Sequence, residues 1–310
     1  MLPLLYAEGL STRDFKRALK PLWKGAGLSR SAISRANKQL REAFKAWRKR
    51  DLGEVELVYL FLDAVMLKVR IGAYPAEAVL VAHGVCADGS RVVLGLMLGG
   101  RESTASWKTF LHDLADRGLN EPALVIGDGN GGLIRAMKDI WPDVSRQRCV
   151  AHKIRNVLNR VPKKEQATVK REVTKIFYAP CLEEAKQRAE RFIAQYGKQY
   201  AMACETLCRD LYDCLTFYRF PQAHWKRLRT SNVIERSFRE VRRRTRVVGR
   251  FPNELSALML VFATLEENRL KWRGLRMDNE LRADIEEAQE HVKQKDTFRI
   301  EAVDTCLQAA

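Results

Sequence analysis

One carboxylate stands inside a run of residues that otherwise wants to be buried. Residues 59–67 read YLFLDAVML, and Asp63 is the interruption. Aliphatic and aromatic runs of this length favour strands. A carboxylate carried into such a strand is expensive to desolvate unless it is paired or bound to a cation. Two readings follow. Asp63 either faces water at a sheet edge or strand end, or it is a buried ligand-holding group.

The flanking sequence places this strand in a larger pattern. VELVYLFLDAVMLKVR, AEAVLVAHGVCADG and SRVVLGLMLG are three β-rich runs, with hairpin-like breaks at residues 72–75 and 87–90. A helix follows, STASWKTFLHDLADRG, capped at Ser103 or Thr104. Then come a short buried strand, PALVIGDG, a helix, GGLIRAMKDIWPD, and a strand, SRQRCVAH. Three successive strands and then helix–strand–helix–strand is a mixed α/β layout, the order expected of a ribonuclease H-like mixed-sheet core. Residues 55–152 would be its first part. Residues 153–222 are almost wholly helical in pattern and read as an all-α insertion. Residues 223–272 would return to the core with an arginine-rich helix and a longer apolar one.

Residues 1–50 read as helices. Ser11 and Thr12 give one cap signal and Ser29 another, after which Ile33, Ala36, Leu40, Phe44 and Trp47 share a face. Two short helices with a glycine-containing break fit a helix-turn-helix, and equally any basic helical hairpin.

Charge narrows the partner. The net charge is +17, and it is placed in blocks. Residues 1–50 hold 13 Lys/Arg against 3 Asp/Glu, and residues 226–250 hold 10 against 2. The tail, 273–310, is acidic and is expected to be held loosely. Segregated positive charge points to a polyanion, here nucleic acid, because each neutralised phosphate releases counterions. No apolar run reaches the 18 or more residues of a membrane span, and the N-terminal apolar stretch is too short for a secretory signal. The expected location is the cytoplasm, on the nucleoid when DNA is bound. Seven irregularly spaced cysteines fit reduced thiols there.

Two further carboxylates attract notice. Asp128 ends the strand in ALVIGDGNGG, where strand carboxyl ends in α/β sheets place ligands. Asp-Gly is also ordinary turn chemistry. The glycines suggest a phosphate loop, although neither nucleotide-binding fingerprint is present. Glu235 stands before the arginines in TSNVIERSFREVRRRTRVVGRF. Asn232 and Glu235 have capping-box spacing, and Glu235 also aligns with Arg239, Arg242 and Arg246, whereas Ile234, Phe238 and Val241 take another face. Cap, arginine partner and metal ligand are all open for it. Together, two strand-borne aspartates and a helix-borne glutamate can hold two Mg²⁺ or Mn²⁺ ions about 3.5–4 Å apart, the arrangement that serves phosphodiester chemistry.

The stretches GLSTRD, YLFLDAVMLKVR, VIGDGNGGL, QRCVAHKIRNVLNRVPKK and HWKRLRTSNVIERSFREVRRRTRVVGRFPNE resemble, in order, those of the Mutator-type transposases of bacterial insertion sequences, a branch of the DDE transposases. The resemblance covers most of residues 1–272. It implies Asp63, Asp128 and Glu235 as a catalytic, metal-binding triad using Mg²⁺ or Mn²⁺. It implies Cys149 and His152 as a Cys-x-x-His signature, Trp225 as a signature tryptophan, and 153–222 as the family's helical insertion. It also implies double-stranded DNA as partner, at element ends and at the target. Arg236, Arg239, Arg242, Arg243 and Arg246 are the candidate DNA-binding residues. The chain opens with a segment that in the family lies well inside the N-terminal region, so the N-terminal DNA-binding region is expected to be incomplete. Asn130 stands where smaller residues are common, with little effect expected.

The function expected is metal-dependent cleavage at element ends and strand transfer into target DNA, with a homo-oligomer to join two ends. The alternatives are a non-catalytic DNA-binding remnant or repressor, and a ribonuclease H-like nuclease without strand transfer. For Cys149 and His152 three roles stand open: half of a zinc site completed by Cys204, Cys208, Cys214 or His224; a structural junction between core and insertion; or a contact to DNA. Cys204 and Cys208, one helical turn apart, are either co-ligands or small apolar core residues.

Overall fold

A computed structural model describes residues 30–69, 77–99, 103–246, 248, 251, 253–269, 273–293 and 300–308. The first helix of the expected helix-turn-helix and the break at 72–75 lie outside these residues. The second helix is present as α1, Arg30–Arg48.

Five strands form one mixed sheet: β1 Leu57–Leu67, β2 Glu77–Cys86, β3 Arg91–Gly99, β4 Leu124–Gly127 and β5 Ser145–Arg148. Their spatial order is β3-β2-β1-β4-β5. The first three pair antiparallel, while β4 runs parallel to β1 and β5 parallel to β4. β1 is therefore the central strand, and the edge-strand reading of Asp63 is excluded. The hairpin at residues 87–90 is present, with Gly89 at φ 78°, a conformation that glycine tolerates without a Cβ penalty.

The period-2 alternation of strands divides the sheet between two cores. Tyr59, Phe61, Val65, Leu124 and Ile126 face one side. Leu60, Leu62 and Val125 face the other, covered by α2 (Thr104–Asp116) and α3 (Gly131–Ile140). Ser103 caps α2 by accepting from the Ser106 N–H. Asn130 caps α3, accepting from Gly132 and Leu133, so the residue expected to have little effect supplies the cap.

Between β5 and the first face's cover lie the helices of the insertion: α4 Val150–Leu158, α5 Gln166–Phe177, α6 Leu182–Tyr196, α7 Ala201–Cys208 and α8 Leu211–Leu215. They enclose a separate apolar core. β5 stops at Arg148, short of the CVAH that the strand reading of SRQRCVAH included, because Cys149 turns the chain into α4. Two short 3₁₀ turns and α9 (Trp225–Leu228) return the chain to the sheet.

α10 (Asn232–Thr245) and α11 (Glu254–Arg269) then cover the first face. α10 presents Ile234, Phe238 and Val241 to the sheet at helical spacing. α11 is apolar nearly all round, as a helix wrapped on several sides must be. α1 lies against it through Phe44 and Trp47, whose rings meet Phe262 at 5.3 and 4.7 Å.

The acidic tail is not loose where it is described. α12 (Asn279–Lys293) buries Ile285 and Ala288 in the sheet-side core, and α13 (Glu301–Gln308), preceded by Ile300, buries Val303 in the insertion core. Its charges occupy the outer faces, which is why composition alone misreads it. No helix among the described residues is long and apolar enough to cross a membrane, and all seven cysteines are free.

Candidate active site

The register of β1 and β4 brings the two aspartates side by side. Tyr59, Leu60 and Phe61 pair with Leu124, Val125 and Ile126 in parallel. Two residues further along each strand stand Asp63 and Asp128. Both share the parity of Phe61 and Ile126, so both project on the face that α10 covers. A one-residue slip would send either into the opposite core.

α10 delivers Glu235 to the same place. Ser231, not Asn232, is the N-cap residue, and it makes no side-chain cap bond. The Asn232–Glu235 capping box is therefore not formed. Asn232 already lies inside the helix, and the Glu235 backbone N–H donates to the Ser231 carbonyl at 3.0 Å. The arginine-partner reading is also set aside. Among the described residues Glu235 meets His152, with Nε2 3.6 Å from Oε1, while Glu240 takes Arg243 and Arg244.

Electrostatics reflect the convergence. Burial pushes the Asp63 carboxyl up to about 6, with the Asp128 and Glu235 carboxylates adding to it and His152 and the Ala64 N–H opposing. The Asp128 and Glu235 carboxylates are thus near enough to Asp63 to disfavour its charged form. Asp63 Oδ1 accepts from the Ala64 N–H at 2.8 Å, but Asp63 Oδ2 and Glu235 Oε1 are buried without hydrogen-bond partners. Orphaned buried carboxylate oxygens are costly, and a cation between them removes the cost. The donors are hard oxygens, which suit Mg²⁺ or Mn²⁺. Asp128 also organises its own turn, accepting from the Asn130 N–H at 3.0 Å. The turn reading and the ligand reading are compatible for it, since one oxygen can serve each.

Cys149 and His152 lie beside this cluster. Cys149 is fully buried at the end of β5, and its sulfur accepts from both the Ser231 N–H and hydroxyl at 3.3 Å. Burial opposes ionisation of this thiol, but His152 and Ser231 outweigh it and draw it downward. The Cys149 sulfur in turn raises His152 to about 9 against burial, with Asp63 and Glu235 contributing. Ligand atoms of Cys149, His152 and Glu235 lie within 4.8 Å of one another. None of the expected zinc partners joins them. Cys204, Cys208 and Cys214 sit in the insertion core. His224 donates from Nε2 to the Arg276 carbonyl and accepts at Nδ1 from the Tyr59 hydroxyl, each at 2.8 Å.

Trp225 packs edge-on to Phe217 and Tyr218 and spends its indole N–H on the Phe220 carbonyl at 2.7 Å. It packs, partly buried, against the sheet-side core. Arg236, Arg239, Arg242 and Arg243 on α10, and Arg246 at its C-cap, are all exposed, on the far side from the buried stripe.

Sequence reasoning missed the polar seam joining β5 and α4 to the insertion. Arg146 meets Asp213. Arg148 and Lys153 both meet Asp210, and Lys153 also donates to the Thr206 carbonyl. Gln147, wholly buried, donates to the Cys214 carbonyl and accepts from the Phe217 N–H. One signal was available. Val150, Lys153 and Val157 recur at helical spacing on one face, so Lys153 had to be buried and had to have a partner. Gly129 belongs to the same seam: a Cβ there would stand 1.6 Å from Arg148 Nη1.

A mixed sheet with three converging carboxylates beside a strongly basic helix is the arrangement of a protein that acts on nucleic acid. The chain belongs to the Mutator family of transposases, whose family model matches residues 1–274. It is 37% identical over 276 residues to the transposase for insertion sequence element IS6120 of Mycolicibacterium smegmatis, covering 89% of this chain and 85% of that one. It is 39% identical over 271 residues to the transposase for IS406 of Burkholderia multivorans, covering 86% and 69%. It is 37% identical over 280 residues to the transposase for ISRM5 of Rhizobium meliloti, covering 89% and 70%.

Proposed function

We propose that this transposase cleaves DNA strands at element ends and joins them to target DNA through Asp63, Asp128 and Glu235, set in a ribonuclease H-like core. The observation that carries the reading is the arrival of three carboxylates from β1, the end of β4 and α10 on one face, with Asp63 Oδ2 and Glu235 Oε1 buried without hydrogen-bond partners and Glu235 Oε1 facing the His152 imidazole at 3.6 Å. These residues would hold the divalent cations. When bound, such ions supply charge for activating the attacking oxygen and stabilising the leaving one. Asp63 and Asp128, fixed by strand register, and Glu235, fixed by the packing of α10, keep the site's geometry. The exposed arginines of α10 hold phosphates beside it and fix the DNA's position without reading its sequence.

Cys149 and His152 act as a latch. The Cys149 sulfur grips Ser231 at the start of α10, the Val150 N–H donates to the Arg229 carbonyl at 2.9 Å, and His152 faces Glu235. The chain leaves the sheet at Cys149 and returns at Ser231. The latch closes that loop and sets where Glu235 stands. α1, with its basic side exposed, belongs to the DNA-binding region. The protein works on the nucleoid in the cytoplasm, and joining two ends calls for at least two copies.

The test is cleavage and strand transfer on a duplex carrying the element's ends, with Mg²⁺ or Mn²⁺. Asp63→Ala, Asp128→Ala and Glu235→Gln should each abolish both steps and leave DNA affinity within a few-fold of normal. Near-normal cleavage by Glu235→Gln would remove it from the site. Cleavage without any joined product would favour a nuclease.

A further inference from the structure

A groove of about 610 Å³ opens beside the catalytic turn, between α3 and α4 on one side and α7 and α8 on the other. Gly129, the residue after Asp128, is among the residues that line it. Arg146, Arg148, Lys153, Arg160 and Arg209 line it, against the carboxylates of Asp210 and Asp213. We propose that this groove receives the sugar–phosphate backbone of a DNA strand on its way from the catalytic carboxylates, a role that rests on the reading of Asp63, Asp128 and Glu235 given above.

Charge is the first argument. Asp210 and Asp213 hold Arg146, Arg148 and Lys153 in fixed positions along the floor. Two carboxylates cannot neutralise three cations, and Arg160 and Arg209 add exposed charge at the rim. Arg209, itself exposed, meets the half-buried Glu205 one turn away, a contact that a phosphate can replace. The second argument is chemical type. Asn156 and Asn159 add neutral hydrogen-bonding groups, and among the described residues no aromatic ring lines the groove. Base recognition on a single strand uses aromatic platforms for stacking; backbone recognition uses Arg, Lys and amides. The lining is of the second kind. The third argument is position. The groove reaches the turn carrying Asp128, and Gly129 lets the Arg148 guanidinium lie directly against that turn. A backbone seated in the groove therefore passes beside the turn that carries Asp128. On this reading the insertion forms one wall of the strand's path.

The experiment measures binding of the full chain to a fluorescent linear duplex with a single-stranded 3′ end, across a range of salt concentrations. The groove variant is Arg160→Gln with Arg209→Gln, both side chains exposed. The charge-matched control is Arg171→Gln with Arg191→Gln, exposed on the insertion and outside the groove. The groove variant should flatten the plot of log K against log salt by roughly 1.4–1.8 in slope, from 0.7–0.9 per lost phosphate contact, with an unchanged melting temperature. The control should keep the wild-type slope. An unchanged slope in the groove variant, or equal flattening in both, overturns the proposal. A third variant, Arg239→Gln with Arg242→Gln and Arg246→Gln, separates the two levels. If it flattens the slope while the groove variant does not, the groove fails and the transposase reading stands. If the wild-type chain binds no DNA, both fail.

Discussion

Asp210 is the keystone of the seam between core and insertion, and its removal should be among the most destabilising single changes in the chain. It meets both Lys153 and Arg148. Lys153 is 1% exposed, so the ammonium cannot recover water when its partner goes. Its remaining partner is the Thr206 carbonyl. Breaking a buried pair from one side typically costs about 3–5 kcal/mol, mostly from the uncompensated charge left behind. Arg148 keeps some access to solvent, with 11% of its side chain exposed, which places Asp210→Ala at about 3–4 kcal/mol. The assay is equilibrium urea unfolding, followed by far-UV circular dichroism and by tryptophan fluorescence. The two probes separate if the insertion melts before the sheet. The control is Lys153→Met combined with Asp210→Ala. Replacing a buried pair by apolar groups is often neutral, so the double variant should recover at least half of the loss. A cost below about 1 kcal/mol for Asp210→Ala, or a double variant worse than the single, would show that the seam does not depend on this charge.

Three further outcomes follow from the site. In chelator, Asp63→Asn should stabilise the fold by up to about 3 kcal/mol at pH 7, because the carboxyl is raised from 3.8 to about 6. An acid whose folded pKa is raised contributes stability that is full below pH 3.8 and lost as pH climbs through about 6, so the gain should vanish near pH 4; a variant no more stable than wild type at pH 7 would contradict it. Gly129→Ala should cut strand cleavage at least tenfold while leaving DNA affinity intact, since a Cβ there would stand 1.6 Å from Arg148 Nη1; normal cleavage would show the turn can yield. Cys149→Ala should slow cleavage and lower the melting temperature, Cys149→Ser should restore part of both by keeping an acceptor for Ser231, and protein purified without chelator should carry no stoichiometric zinc. Zinc lost on Cys149→Ser would replace the latch with a metal site.

The parts of this site that were legible in the sequence are those that break a local rule. Asp63 interrupts an apolar strand, and Asp128 ends one, so each announces itself within a few residues. Parity along β1 and β4 then decides that both face α10, but the pairing of Phe61 with Ile126 is a long-range fact that neither strand carries alone. Glu235 obeyed a local rule too well. Asn232-x-x-Glu235 has capping-box spacing, and the N-cap simply falls one residue earlier, at Ser231. The seam was hidden for a different reason. Asp210 and Lys153 meet across the whole insertion, and each looks like an ordinary polar residue of its own helix. The tail's packing was masked by composition, since Ile285, Ala288 and Val303 are few among many charges.

The order of elements along the chain has a consequence during synthesis. β1 and β4 leave the ribosome early, whereas α10 follows only after the whole insertion, roughly a hundred residues and some 5–20 s later at 5–20 residues per second. Through that interval the nascent chain has its two aspartates but no third carboxylate, and the sheet face later covered by α10 and α11 lies bare. If Glu235 completes the site as proposed, a message cut short before Ser231 would yield a sticky fragment without cleavage activity. On the proposed reading of Asp63, Asp128 and Glu235, placing the last of these carboxylates behind the insertion makes synthesis through α10 a condition of activity.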